Sequence, residues 1–200
     1  MRHALRLLIA TLLMCSAYAD EVDIGSFSID TSQVSASSVL YEKDKPANLY
    51  VAKNANDGNA ATAWCSDPAN GGIGEWLEFR AARETPFRMR GIALSNGYTS
   101  SEKQYFANNR IREIKVTVTK VNGRQRTFTK TLPDAYAGSD MASVTRQRVI
   151  FGACKIGDAE ERKEADCFWH DIAKMRITVV SVYPGKKHND TCISEVRWLQ

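Results

Sequence analysis

The chain has 200 residues, 44% of them apolar, and its 27 Lys and Arg stand against 23 Asp and Glu for a formal net charge of +4. A balance this even argues against a nucleic-acid partner, which normally needs a concentrated basic face. The length suits one domain with a sizeable core, and no internal repeat, low-complexity tract or Pro/Gly-rich linker divides it.

Residues 1–19 place Arg2, His3 and Arg6 ahead of an apolar run from Leu7 to Met14 and end at Ala17, Tyr18, Ala19. That is the layout of a cleaved secretory signal peptide, which predicts a secreted or periplasmic protein. The run is far shorter than the roughly 20 residues that cross a bilayer, so no membrane span is expected. The rival reading, a lipoprotein acylated at Cys15, suffers from Met14, which is bulkier than the small residue that site needs. Cleavage would remove Arg2 and Arg6, leaving 25 basic residues against 23 acidic ones and one domain over residues 20–200.

Beyond the leader, alternation of apolar and polar residues dominates the chain. Strands are predicted at Val22–Ile29, Val34–Tyr41, Glu75–Phe79 and Met89–Leu94. In Ile111–Lys120 the residues Ile114, Val116 and Val118 fall on one face at period two. Asn122-Gly123 and a second alternating run, Gln125–Leu132, complete a hairpin whose turn favours positive φ at both residues. Arg146–Phe151, Met175–Val182 and Ile193–Leu199 bring the total to about nine strands with no amphipathic helix. Many short strands separated by Gly, Asn and Pro predict an all-β sandwich or jelly roll. The charged, then aromatic stretch Gly157–Asp171 reads as a surface excursion.

Four cysteines lie beyond the leader: Cys65, Cys154, Cys167 and Cys192. In an exported chain they predict disulfides, with three pairings open, and they lack the Cys-x-x-Cys spacing of structural zinc. Catalysis is not expected, because His170 lies beside Cys167 where an oxidising compartment disfavours a free thiol, and Glu160-Glu161 sit in a solvated charged run. Trp64, Trp76 and Trp198 read as core residues, while Trp169 in the excursion is unassigned.

Three blocks carry a family resemblance: Ala55–Trp64 (ANDGNAATAW); Gly72–Phe79 (GIGEWLEF) with Asn96-Gly97-Tyr98, Tyr105 and Asn108-Asn109-Arg110; and Asp190–Val196 (DTCISEV). Together they resemble the NADase-type glycan-binding domain, a branch of the galactose-binding-like (discoidin, F5/8 type C) jelly-roll β-sandwiches. The resemblance implies a secreted, non-catalytic module that binds a glycan or glycoconjugate, or, on the same fold, one that docks another envelope or extracellular protein. It also implies a structural Ca2+ held by Asp57, Asn59 and Thr62 of the DGN loop with Glu195 of the last strand. Calcium takes about 6 to 8 oxygens, and Gly58 would let the loop turn its carbonyls inward; the alternative is a plain Asp-Gly turn. Relatives bring the DGN loop and last strand together, which implies a Cys65–Cys192 bridge, with Cys154–Cys167 closing a short loop. Asn96, Tyr98, Tyr105, Asn108, Asn109 and Arg110 supply aromatic faces, amides and a guanidinium suited to sugar hydroxyl pairs, or else a polar loop that fastens itself.

Overall fold

A computed structural model describes residues 26–27, 33–81, 91–140, 147–150 and 171–199. The leader with Cys15, the Cys154–Cys167 pair, Trp169 and His170 lie outside the described residues.

Among the described residues, ten strands form two five-stranded sheets. They are β1 (Ser26–Phe27), β2 (Val34–Ala36), β3 (Trp64–Cys65), β4 (Trp76–Arg80), β5 (Gly91–Asn96), β6 (Arg110–Lys120), β7 (Gln125–Thr131), β8 (Arg148–Ile150), β9 (Ile172–Tyr183) and β10 (Cys192–Leu199). The first sheet runs β1-β10-β5-β8 with β3 also on β10, the second runs β2-β4-β9-β6-β7, and every named strand pair is antiparallel. The expected jelly-roll sandwich is the fold.

Period-two alternation decides which face of the second sheet is inside. Leu77 and Phe79 on β4, Ile114, Val116 and Val118 on β6, and Met175, Ile177 and Val179 on β9 bury in one cluster with Ile92, Leu94, Val196 and Trp198 from the first sheet. Burying one such aliphatic or aromatic side chain stabilises by roughly 1.5–3 kcal/mol. The first sheet is covered on its outer side too, since Ala60 of the DGN loop packs on Ala93 and Leu199. That cover is what buries Glu195 completely.

Four local expectations are corrected. The strand expected over Val34–Tyr41 stops at Ala36, because the chain turns away and gives the Ser38 carbonyl to Trp64 Nε1 at 2.9 Å. β3 was not anticipated; it is two residues long, too short for alternation to register. In the β6–β7 hairpin only Gly123 has positive φ, at 82°, while the Asn122 side chain accepts from the Arg124 N–H at 3.1 Å. The segment expected to be loop contains a helix, α1 (Glu102–Ala107). Ser101 caps it by accepting from the Gln104 N–H at 3.2 Å, and the Ser-x-x-Gln spacing was the available signal.

Candidate functional site

The segment from Asn96 to Arg110 folds as an internal clamp. Asn96, at the end of β5, donates to the Ile111 carbonyl at 2.7 Å and accepts from the Ile111 N–H at 2.8 Å, fastening the first sheet to β6 of the second. Arg110 forks onto Asp134 at 3.0 and 2.7 Å and gives its remaining terminal nitrogen to the carbonyls of Asn108 and Pro184 at 3.0 and 2.9 Å. Asn109 accepts from the Gly185 N–H at 2.6 Å and donates to the Asn189 carbonyl at 2.9 Å. The Asn108 amide returns to the Gln104 carbonyl at 2.8 Å, and the buried Tyr105 hydroxyl meets Asp134 at 3.2 Å. Burial first, then the Asp134 charge, pushes the Tyr105 phenol well above its ordinary range. Gly97 is required at the centre: its φ is +86°, and a Cβ there would lie 2.7 Å from Arg110 Cγ.

These contacts turn five of the six residues inward, as the alternative of a polar loop that fastens itself expects. Asn96, Tyr105, Asn108, Asn109 and Arg110 are no more than 5% exposed, and the contacts above use their polar atoms. Tyr98 is half-buried and packs edge-on to Tyr50 beside Ala63, Cys65 and Cys192. Buried amides and guanidinium groups persist because each donor finds a partner; an unmatched one would cost about 1–3 kcal/mol.

The Cys65–Cys192 bridge is present, joining residues directly opposed on β3 and β10. Counting only His, Cys, Asp and Glu among the described residues, the sulfurs of this bridge and Asp190 are the one group of three with metal-ligand spacing, and the disulfide already uses the sulfurs.

The DGN loop differs from the clamp. The Thr62 hydroxyl lies 2.7 Å from Asp57 Oδ2 and 2.8 Å from the Asn59 carbonyl, with one proton for two oxygens. Asp57 Oδ1 accepts from the Asn59 N–H, and the Asn59 side chain turns to the Ala61 N–H, so Asn59 offers its carbonyl rather than its amide. Glu195 Oε2 accepts from the Gly58 N–H at 3.2 Å, while Glu195 Oε1 and Asn56 Oδ1 are buried without a hydrogen-bond partner. Burial, reinforced by the Asp57 charge and opposed by Arg197, pushes the Glu195 carboxyl up to about 7. The carboxylates of Asp57 and Glu195, the Asn56 amide oxygen, the Thr62 hydroxyl and the Asn59 carbonyl are hard-oxygen donors of the kind that suits Ca2+. Sequence reasoning missed Asn56 and Arg197, whose Nε is 3.6 Å from Glu195 Oε1.

A third region is open to solvent. Glu102, Lys103, Phe106 and Ala107 of α1 line a 450 Å³ groove with Lys186 and Lys187. Backbone bonds from Lys186 N–H to the Phe106 carbonyl at 2.9 Å and from Lys187 N–H to the Ala107 carbonyl at 3.0 Å fix the facing turn. The Lys186 ammonium lies 5.3 Å from the centre of the half-buried Phe106 ring. Phe106 carries no signal in a segment that the sequence presents as loop; helical spacing puts 102, 103, 106 and 107 on adjoining positions of one flank.

Among solved structures, the F5/8 type C domain of a Bacteroides fragilis protein is similar, with 19% identity, 88% of this chain and 96% of that chain covered, and a TM-score of 0.56. A fragment assigned to a chitobiase from Bacteroides thetaiotaomicron is 11% identical over 88% of this chain and 94% of that chain, with a TM-score of 0.55. Both likenesses bear on the fold alone. No curated protein sequence matches the chain. No described helix is long and apolar enough to cross a membrane. The model of the NAD glycohydrolase translocation F5/8 type C domain matches residues 27–199, and the chain belongs to that family.

Proposed function

We propose that this protein is an exported, non-catalytic glycan-binding module whose sugar lies in the groove between α1 and the turn at Lys186-Lys187. The observation that carries the reading is the Phe106 ring in an open groove rimmed by Lys103, Glu102, Lys186 and Lys187. An aromatic face accepts the C–H side of a sugar ring, while ammonium and carboxylate groups bond pairs of hydroxyls. The groove contributes a single carboxylate, Glu102, whereas glycoside hydrolysis ordinarily requires two, which favours binding without turnover. The leader-like N-terminus and the Cys65–Cys192 bridge support export. A structural Ca2+ on Asp57, Thr62, Glu195, Asn56 and the Asn59 carbonyl would neutralise the buried acids and hold the DGN loop on β10.

A glycan array probed with wild type and Phe106→Ala tests the reading. Wild type should retain a discrete set of glycans, and Phe106→Ala should weaken retention by about 1–3 kcal/mol with little change in melting temperature. Undiminished retention by the variant, or no retention by wild type, refutes the assignment of the groove.

A further inference from the structure

The outer face of the second sheet carries cations arranged by strand register. Three cross-strand rows run over β4, β9, β6 and β7: Trp76, Thr178, Lys115, Thr129; Glu78, Arg176, Thr117, Thr127; and Arg80, Lys174, Thr119, Gln125. Neighbours within a row are about 4.8 Å apart at the backbone. A groove of 280 Å³ lies over these rows, lined by Glu78, Lys115, Thr117, Lys174, Arg176 and Thr178 among others.

Glu78 sits beneath this face with its side chain 4% exposed. It accepts from Arg80 at 2.9 Å, Lys174 at 3.1 Å and Arg176 at 3.1 and 2.8 Å. Burial would raise its carboxyl, but the hydrogen bonds and charges of Lys174 and Arg176 outweigh that and hold it below its ordinary value. One carboxylate thus anchors three cations whose side chains remain 58%, 31% and 40% exposed for Arg80, Lys174 and Arg176. Lys115 adds a fourth cation, with no ion-pair partner among the described residues. Cations already held in place lose little side-chain entropy when an anion arrives.

We propose that this face binds an acidic, uronate-bearing polysaccharide, independently of the α1 groove. Four cations against one buried carboxylate call for an anion, and the guanidinium groups of Arg80 and Arg176 suit carboxylates. The threonine hydroxyls and the Gln125 amide between the cations match sugar hydroxyls. Single-stranded nucleic acid would need successive aromatic platforms, whereas among the described residues the face has Trp76 alone, and the Arg176 guanidinium lies over that ring 4.0 Å from its centre.

The test is titration of the full protein at low salt with polygalacturonate, its fully methyl-esterified form and an oligothymidylate of equal charge. Polygalacturonate should bind, lose affinity as salt rises, and exceed both controls. Lys115→Gln should weaken it about fivefold, equivalent to about 1 kcal/mol, with unchanged melting temperature because Lys115 holds no ion-pair partner among the described residues. Phe106→Ala should leave it unchanged, which separates this face from the α1 groove. Equal binding of the esterified polymer or the oligonucleotide, indifference to Lys115→Gln, or loss with Phe106→Ala overturns the proposal.

Discussion

The clamp around Arg110 and the DGN loop against Glu195 are both polar and glycine-centred, the clamp buried and the loop exposed over the buried Glu195 and Asn56, and their hydrogen bonding is opposite. In the clamp, Asn96 and Ile111 exchange both bonds, and Arg110 reaches Asp134 and two carbonyls. At the loop, Glu195 Oε1 and Asn56 Oδ1 accept no hydrogen bond, and one Thr62 proton serves two oxygens. Matched polar groups make a structural joint, whereas unmatched buried oxygens mark where a cation is stabilising. The distinction separates two loops that look alike in composition.

The largest expected effect breaks the clamp. Arg110→Ala leaves Asp134 and the carbonyls of Asn108 and Pro184 without their donor, and should destabilise by about 3–5 kcal/mol in denaturant unfolding, toward the lower end because Asp134 is 30% exposed. An Arg110→Ala protein with wild-type stability would return this residue to a binding role.

The next effect concerns Glu195. Its carboxyl is raised from 4.5 to about 7 in the folded state, so the folded chain holds this proton more tightly than the unfolded one. In chelator, stability should therefore fall as pH rises from 4.5 to 7, by at most about 3 kcal/mol. Glu195→Gln should remove that slope; a wild-type melting profile already flat across this window contradicts a carboxyl raised by burial.

Calcium addition sharpens the same contrast at slightly smaller magnitude. Free Ca2+ at about 100 times its Kd should stabilise the protein by about 2.7 kcal/mol, and Asp57→Ala should abolish the response. Identical melting in calcium and EDTA would reduce the loop to a turn. The smallest stability effect belongs to Phe106→Ala, expected to cost under about 1 kcal/mol because its ring is half-exposed; a large loss would make it a core residue rather than a binding floor.

Much of this was legible in the residues. Alternation in β6, β7 and β9 fixes which side chains are inside, because a strand has only two faces and one of them is apolar. The DGN and last-strand motifs likewise pointed to Asp57 and Thr62, whose side chains meet within one loop, and to Glu195, which accepts from the Gly58 N–H of that loop. Trp76 marks the limit of that reading: expected in the core, it lies half-buried on the outer face under Arg176, since a strand residue's side is set by register and not by size.

What tertiary structure alone decided is the direction of the polar residues. Asn96 is matched by Ile111 in the other sheet, Asn109 by Gly185, and Arg110 by Asp134 and Pro184, partners that lie 15, 76, 24 and 74 residues away. A sequence shows which groups can donate and accept, and its periodicity shows which faces are apolar. Whether an amide turns inward to a carbonyl or outward to a ligand depends on which distant backbone folding brings within about 3 Å, a distance that no local pattern encodes.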